Sequence, residues 1–349
     1  MTQRRGNNRR GGDNRQQKKR RYGGPRKANL IEQSRKDIEA FRTKANKRFD
    51  YEFMGVQPIG FPDEMEEPKS FSFEWKSNPV NLADEERMAT YVVRRGEFGW
   101  VDDDRVDEIA EFGKSTSIAV EQALSLRSAL LQQKTVYGHH SMKRKGPQML
   151  LDYKQGTSIV ELTEKYDFPP MNIFRTILAE KGWSKTKIKE SFKAPSRFSE
   201  RERSEFESAE EADRVSNVDQ SETHLRADLF ENILADWFEE QGVRLRRQPE
   251  LVKEQSVDHG RPKVTPDILF LDHVSINGEP VAWIDAKHFY GADVEFQRKK
   301  MKKQMMRYID EWGSGAIVFR HSFSENLFLP GVLMLDANPL DLSELNAHS

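Results

Sequence analysis

Cysteine is absent from the 349 residues. That excludes disulfide bridges, thiolate zinc sites and cysteine nucleophiles together, and it fits a reducing compartment. Long apolar runs are missing too. No stretch approaches the roughly 20 residues that cross a bilayer, so no membrane partner is expected. The first residues hold no apolar core of a secretory leader, so export is not expected either. Apolar residues make up only 36% of the chain against 32% charged, with a mean hydropathy of −0.81. A compact domain is nearer half apolar, so the composition implies a folded part joined to long solvated segments.

What is present is unevenly spread. Residues 1–30 carry eleven Lys and Arg against Asp13 alone, a net charge of +10, so the other residues together carry −11. Residues 1–45 therefore read as a disordered basic arm, which either gains affinity for polyanions by counterion release or merely keeps the chain soluble. Lys18-Lys19-Arg20-Arg21 has the composition of a nuclear import signal, which points to the nucleus, with the cytoplasm as the other compartment. Residues 46–114 mix charges with isolated aromatics and show no period. Residues 115–192 read as helical and 193–221 as a charged linker. The densest apolar patterning lies in 222–342, the expected main domain.

Within the helical region, residues 157–183 read as a helix-turn-helix. Ser158 and Glu161 form a capping box, and Ile159, Leu162 and Tyr166 share a helical face. Asp167-Phe168-Pro169-Pro170 breaks the helix, and Met171, Phe174, Ile177 and Leu178 resume the spacing until Gly182. With a preceding helix near 148–154 this makes a trihelical unit of the kind that reads DNA, presenting Asn172, Arg175 and Lys181 outward. The alternative is a packing unit that touches no DNA. His139-His140 lacks a spaced third ligand and reads as a pair of solvent-facing polar side chains rather than a metal site.

The main domain carries the chemistry. A helix through Leu225, Leu229, Ile233, Leu234, Trp237 and Phe238 ends near Gly242. Thr265-Pro266-Asp267 then leads into the apolar run 268–271. Asn277-Gly278 is a two-residue hairpin signal, and 281–284 forms a second strand running into Asp285-Ala286-Lys287. Asp285 and Lys287, two apart on a strand, share a face. A helix over 298–312 with Met301, Met305, Tyr308 and Trp312 inward precedes Gly313-Ser314-Gly315 and a strand at 316–319. Hard cations such as Mg²⁺ or Mn²⁺ take carboxylate oxygens with water and phosphate, so Asp267 and Asp285 are candidate ligands and Lys287 a candidate to orient water and offset charge. Arg298, Lys299, Lys302 and Lys303 on the later helix are candidates to meet a phosphate backbone, or simply a solvated face. A comparable spacing at Asp63 and Glu74-Trp75-Lys76, where Phe71 and Phe73 mimic a strand, is set aside: no aliphatic strand follows Asp63, Pro68 interrupts it, and no hairpin or helix-then-strand pattern follows.

These residues resemble the TPD-motif family of the PD-(D/E)xK nuclease superfamily. The likeness rests on Thr265-Pro266-Asp267, Trp283-Ile284-Asp285-Ala286-Lys287, Phe289, Gly291, Gln304 with Tyr308, and Gly313-Ser314-Gly315, and extends over about 130–340. It implies an α/β fold with a restriction-endonuclease-like core, a mixed sheet flanked by helices. It also implies divalent-metal nuclease chemistry and partnership with a codanin-like protein. By position it makes Glu231 a further metal or water ligand, and Gln304 and Tyr308 supports for the strand or for Lys287. Asp285 stands where close relatives carry Glu, which the superfamily pattern permits.

The hairpin raises a geometric demand. A two-residue turn pairs Ile276 with Glu279 and would set Asp267 opposite His288, three residues (about 10 Å) from Asp285. One shared metal requires a bulge or bend between them. The expected function is a metal-dependent endonuclease acting on nucleic acid, DNA in the first instance. The alternative is a non-catalytic nucleic-acid-binding or adaptor protein partnering a codanin-like chromatin factor.

Overall fold

The structure is a computed structural model that describes residues 26–215 and 220–347. Lys18, Lys19, Arg20 and Arg21 lie outside the described residues. Helices α1 (Arg26–Gln33), α2 (Arg35–Lys47) and α3 (Tyr51–Met54) precede strand β1 (Ser70–Phe73). Then come α4 (Leu82–Val92), α5 (Asp103–Lys114) and the long α6 (Val120–Arg144). A helical module follows: α7 (Gly146–Lys154), α8 (Ile159–Tyr166), α9 (Pro170–Glu180), α10 (Lys185–Lys193) and α11 (Glu200–Glu211). The last part runs α12 (Gln220–Glu240), β2 (Leu245–Arg247), α13 (Gln248–His259), β3 (Ile268–Ile276), β4 (Glu279–Lys287), α14 (Glu295–Trp312), β5 (Gly315–Phe319), β6 (Val332–Asp336) and α15 (Ser343–Ala347).

The sheet has the order β1-β3-β4-β5-β6, with β2 paired to β3. β3 and β4 are antiparallel, while β4, β5 and β6 run parallel to one another. β1 and β2 share the outer edge of β3, β1 beside 273–276 and β2 beside 268–270. The parallel strands are buried on both faces, as continuous runs such as Ala316-Ile317-Val318-Phe319 require. On one face Phe230, Leu234 and Phe238 of α12 pack on Ile268, Ile284 and Val318. On the other, Met301, Met305, Tyr308 and Trp312 of α14 pack on Leu269, Trp283 and Ile317. The expected mixed sheet flanked by helices, after a helical region, is what the chain adopts. No helix among the described residues is long and apolar enough to cross a membrane.

Three expectations need correction. Residues 26–45, assigned to a disordered arm, are helical, and Phe41 and Ala45 of α2 join the core beside Trp312. Residues 46–114 are a structured part of the fold: Phe71, Phe73 and Trp75 pack against α12, and Trp75 Nε1 donates to the Asp336 carbonyl at 2.8 Å. The Phe71/Phe73 alternation is therefore a true edge strand, placed at the far end of β3 from Asp267. Nor is 193–221 merely a linker. Phe198, Phe206 and Ala209 are buried in the helical module, and Asp213 accepts from the Met171 amide at 3.0 Å. Aromatics scattered among charges bury themselves against residues far away in sequence, which leaves no local period to read.

Gly313 shows how tightly α2 is seated. Its φ of +85° with ψ of −155° belongs to a region open essentially to glycine. An added Cβ would stand 2.3 Å from the Ala45 amide nitrogen and 2.5 Å from the Phe41 carbonyl. Gly313→Ala is expected to lower stability by about 2–3 kcal/mol in urea denaturation.

Glu85 on α4 is wholly buried, accepting from Ser324 Oγ at 2.5 Å and from the Asp293 amide at 3.3 Å. Burial pushes its carboxyl up to about 7, and the Asp293 charge adds to this against the hydrogen bonds. The folded state thus holds this proton more tightly than the unfolded one. That contribution to stability is fully present below about pH 4.5 and is lost as pH rises through about 7. Glu85→Gln should remove that slope, amounting to roughly 3 kcal/mol, when stability curves from pH 4.5 to 7.5 are compared.

Candidate active site

The hairpin between β3 and β4 turns at Asn277-Gly278, both with positive φ, as a tight two-residue turn requires. Next to the turn Ile276 lies opposite Glu279 and Val274 opposite Val281, but further out Leu269 lies opposite Trp283 and Ile268 opposite Ile284. Four residues of β3, 270–273, therefore answer to Ala282 alone, and the strand carries three more residues than its partner there. Continued past Ile268, the outer register sets Asp267 against Asp285 instead of His288. The distortion that a shared metal demands is present.

Buried charge holds the bulge. Asp272 is fully buried; its carboxylate accepts from the Arg244 amide and the Lys69 amide, each at 2.8 Å, and pairs with Arg244 Nη2 at 2.6 Å. Burial opposes its ionisation, but the Arg244 bonds outweigh this and hold the carboxyl below its ordinary value. Arg48, which follows α2, is 1% exposed and donates to the carbonyls of Phe270 and Asp272. Burial lowers its guanidinium to about 9, with Asp272 opposing the shift. The extra residues are thus tied down at the junction where β1 and β2 meet on the edge of β3.

Asp267 and Asp285 are 7% and 0% exposed. Asp267 Oδ2 accepts from the Ala286 amide at 2.6 Å and Oδ1 from Gln248 Nε2 at 2.7 Å. Asp285 Oδ1 accepts from Gln304 Nε2 at 2.9 Å, while Oδ2 forms an ion pair with the Lys287 ammonium and receives no well-directed hydrogen bond. Gln304 Nε2 also donates to the Tyr308 hydroxyl at 3.0 Å, and that hydroxyl donates to the Thr265 carbonyl at 3.1 Å. Thr265 is joined in this way to the helix that orients Asp285. Burial, then the Asp285 charge, raises the Asp267 carboxyl well above its ordinary value. Burial alone would lower the Lys287 amine, but Asp285 and Asp267 outweigh it and raise it. Glu231 on α12 is half-buried; burial first, then Asp228, pushes its carboxyl up to about 7, with Asp285 raising and Lys287 lowering it. Asp236, further along the same helix, is exposed and pairs with Arg247. Among the described residues no three His, Cys, Asp or Glu side chains converge at metal-holding distance. The carboxylate set is therefore the two aspartates, with Glu231 acting on them through charge.

Other expected site residues lie elsewhere. Arg298 pairs with Asp293 and Lys299 with Glu295. Lys299 and Lys302 line a cleft shared with α1, and Lys303 is exposed. The helix-turn-helix segment forms with its Ser158/Glu161 capping box and a left-handed Asp167 at the turn. Asn172 is half-buried; Arg175 is exposed and stacks 5.1 Å from the Phe192 ring; Lys181 pairs with Glu202. His139 and His140 are exposed on α6. Sequence reading missed Gln248, Arg48, Asp272 and Arg244, since each acts across a long separation and belongs to no periodic pattern.

Comparison with known proteins bears on this part of the chain. Residues 199–338 match the family described as a protein of unknown function with a TPD sequence motif. The TPD segment contains Thr265-Pro266-Asp267, Asp285, Lys287 and Gln304. The chain is also similar to the uncharacterized protein L539 of Acanthamoeba polyphaga mimivirus, 27% identical over 150 residues that make up 40% of this chain and 53% of that protein. It thus spans about half of that relative's length. No solved structure matches.

Proposed function

We propose that this protein is a divalent-metal-dependent nuclease that hydrolyses phosphodiester bonds of nucleic acid, DNA in the first instance. The observation that carries the reading is the three-residue excess in β3, which sets two buried aspartates opposite each other beside a half-buried ammonium. Burial first, and then the neighbouring Asp285 charge, disfavour ionisation of Asp267 and raise its carboxyl well above the ordinary value. A hard cation suits such a pair, and Asp285 Oδ2 has capacity left for one. Mg²⁺ or Mn²⁺ held by Asp267 and Asp285 would supply Lewis acidity and ease deprotonation of water.

The chain's own groups do the rest. Gln248 fixes Asp267, while Gln304, braced by Tyr308, fixes Asp285. Lys287 directs its ammonium to the place where phosphoryl charge grows, and orients the attacking water. Glu231, on the opposite helix, would hold a further water. The order Asp267, Asp285-Ala286-Lys287, Gln304 and Tyr308 is that of the PD-(D/E)xK pattern.

Incubating the full chain with plasmid, single-stranded, flapped and junction DNA, and with RNA, in Mg²⁺ and in Mn²⁺ tests the reading. Cutting of at least one substrate that stops in EDTA supports it. A chain that binds these substrates and cuts none in either metal is a nucleic-acid-binding adaptor instead.

A further inference from the structure

A groove opens in the helical module, on elements that contribute nothing to the aspartate pair. Helices α9, α10 and α11 enclose about 620 Å³ there. The apolar lining is Met171, Ile188, Phe192 and Phe206, which belong to the core of the module or pack against it. Ala179, exposed on α9, leaves one wall low because its side chain ends at Cβ. Arg175 of α9 and Lys185, Lys189 and Lys193 of α10 also line the groove, and all four are exposed. Against these four cations the lining holds one carboxylate, Glu210 of α11.

The cations are ordered. Lys185, Lys189 and Lys193 follow one another four residues apart, so they form a single row on α10 about 12 Å long. Arg175 and Ala179 make a shorter row of the same spacing on α9. Arg175 lies over the Phe192 ring, and a cation so placed keeps its charge. Glu190, the acid of α10, is engaged with Arg197 at 3.4 Å. Among the described residues no ion pair holds Lys185, Lys189 or Lys193. Cations rowed beside an apolar floor complement an amphipathic helix whose apolar stripe is flanked by carboxylates at that same spacing.

Nucleic acid suits the groove less. A recognition helix has to stand clear of its own module to enter a major groove. Helices α7, α8, α10 and α11 all pack around α9, and its exposed residues are Arg175, Ala179 and Glu180. A phosphate backbone would also leave the apolar floor uncovered. The basic residues 1–25 of this chain carry the wrong sign to fill it.

We infer that this groove takes an acidic amphipathic helix of a partner protein. Its apolar side chains lie on Met171, Ile188, Phe192 and Phe206, and its carboxylates meet Arg175 and the lysine row. The inference is independent of the nuclease reading, since a chain that cuts nothing can still hold such a helix.

Selection from a displayed library of random peptides, about four helical turns long, against the full chain supplies the probe. Peptides kept by the wild type and released by Ala179→Trp, which fills the low wall, are expected to carry Leu or Phe at helical spacing and an excess of Asp and Glu. Fluorescence anisotropy with the most enriched peptide then reads the rim. Lys185→Glu combined with Lys189→Glu should weaken binding about tenfold. Lys36→Glu, on the exposed side of α2, should weaken it less than about twofold. Serine in place of the peptide's apolar residues should abolish binding. Both lysines are exposed, so the double reversal serves for the counter-selection as well if Ala179→Trp does not fold. A library that yields no peptide, or peptides whose binding ignores these substitutions, overturns the inference. So does duplex DNA that binds through Lys185 and Lys189 where acidic peptides do not, which gives the groove to nucleic acid. Dimerisation of the chain that is lost in Ala179→Trp, with no peptide bound, gives it to a second copy and overturns the inference likewise.

Discussion

Lys287→Ala is expected to lower the cleavage rate about a thousandfold while leaving affinity for DNA within about threefold. The ammonium pairs with Asp285; in the proposed role it meets the charge that grows on the phosphoryl group, so its removal should act on kcat and little on KM. Single-turnover cleavage with the variant, beside an anisotropy measurement of binding, separates the two. The same substitution strips the buried aspartates of their counter-charge, so its melting temperature has to be read as well. A folded Lys287→Ala protein that cuts at the wild-type rate contradicts the assigned role. Arg298→Ala makes the contrast, because that guanidinium is engaged with Asp293 and its loss should leave the chemical step in place.

The second large effect belongs to a residue that touches no substrate. Asp272→Ala removes the carboxylate that Arg244 grips, and it leaves the buried Arg48 without its nearby negative charge. Breaking a buried pair from one side costs about 3–5 kcal/mol. Activity should fall further than stability alone accounts for, since the same contacts hold the extra residues of β3 that line Asp267 up with Asp285. Asp272→Asn, which keeps the shape and some of the hydrogen bonds, should lose less on both counts. Urea denaturation with cleavage measured far below the midpoint checks this. A loss under about 1 kcal/mol would mean that Asp272 does not hold the bulge.

Why the trio was legible and its support was not follows from sequence distance. Asp267, Asp285 and Lys287 sit on one hairpin, where alternation, the Asn277-Gly278 turn and the following helix are all local signals. Their meeting could be posed from the sequence only as a register problem: the turn alone put Asp267 opposite His288, and a distortion had to be supposed. The residues that supply it, Arg48 and Arg244, reach Asp272 from before the edge strand and from the end of α12. Such pairings leave no periodic trace. Residues 26–114 went unread for the same reason: Phe41, Trp75 and Met88 each bury themselves on partners far along the chain. Glu231 shows the limit in the other direction. Position in a pattern singled it out, and the fold sets it near Lys287, but among the described residues it does not complete a three-carboxylate cluster.

Anomalous scattering from a crystal soaked in Mn²⁺ addresses the central claim most directly. The account predicts a peak between the two aspartates, about 2.1–2.3 Å from a carboxylate oxygen of each, and its disappearance in Asp285→Ala. Saturating Mn²⁺ that leaves this place empty, or a peak that survives Asp285→Ala unchanged, contradicts it.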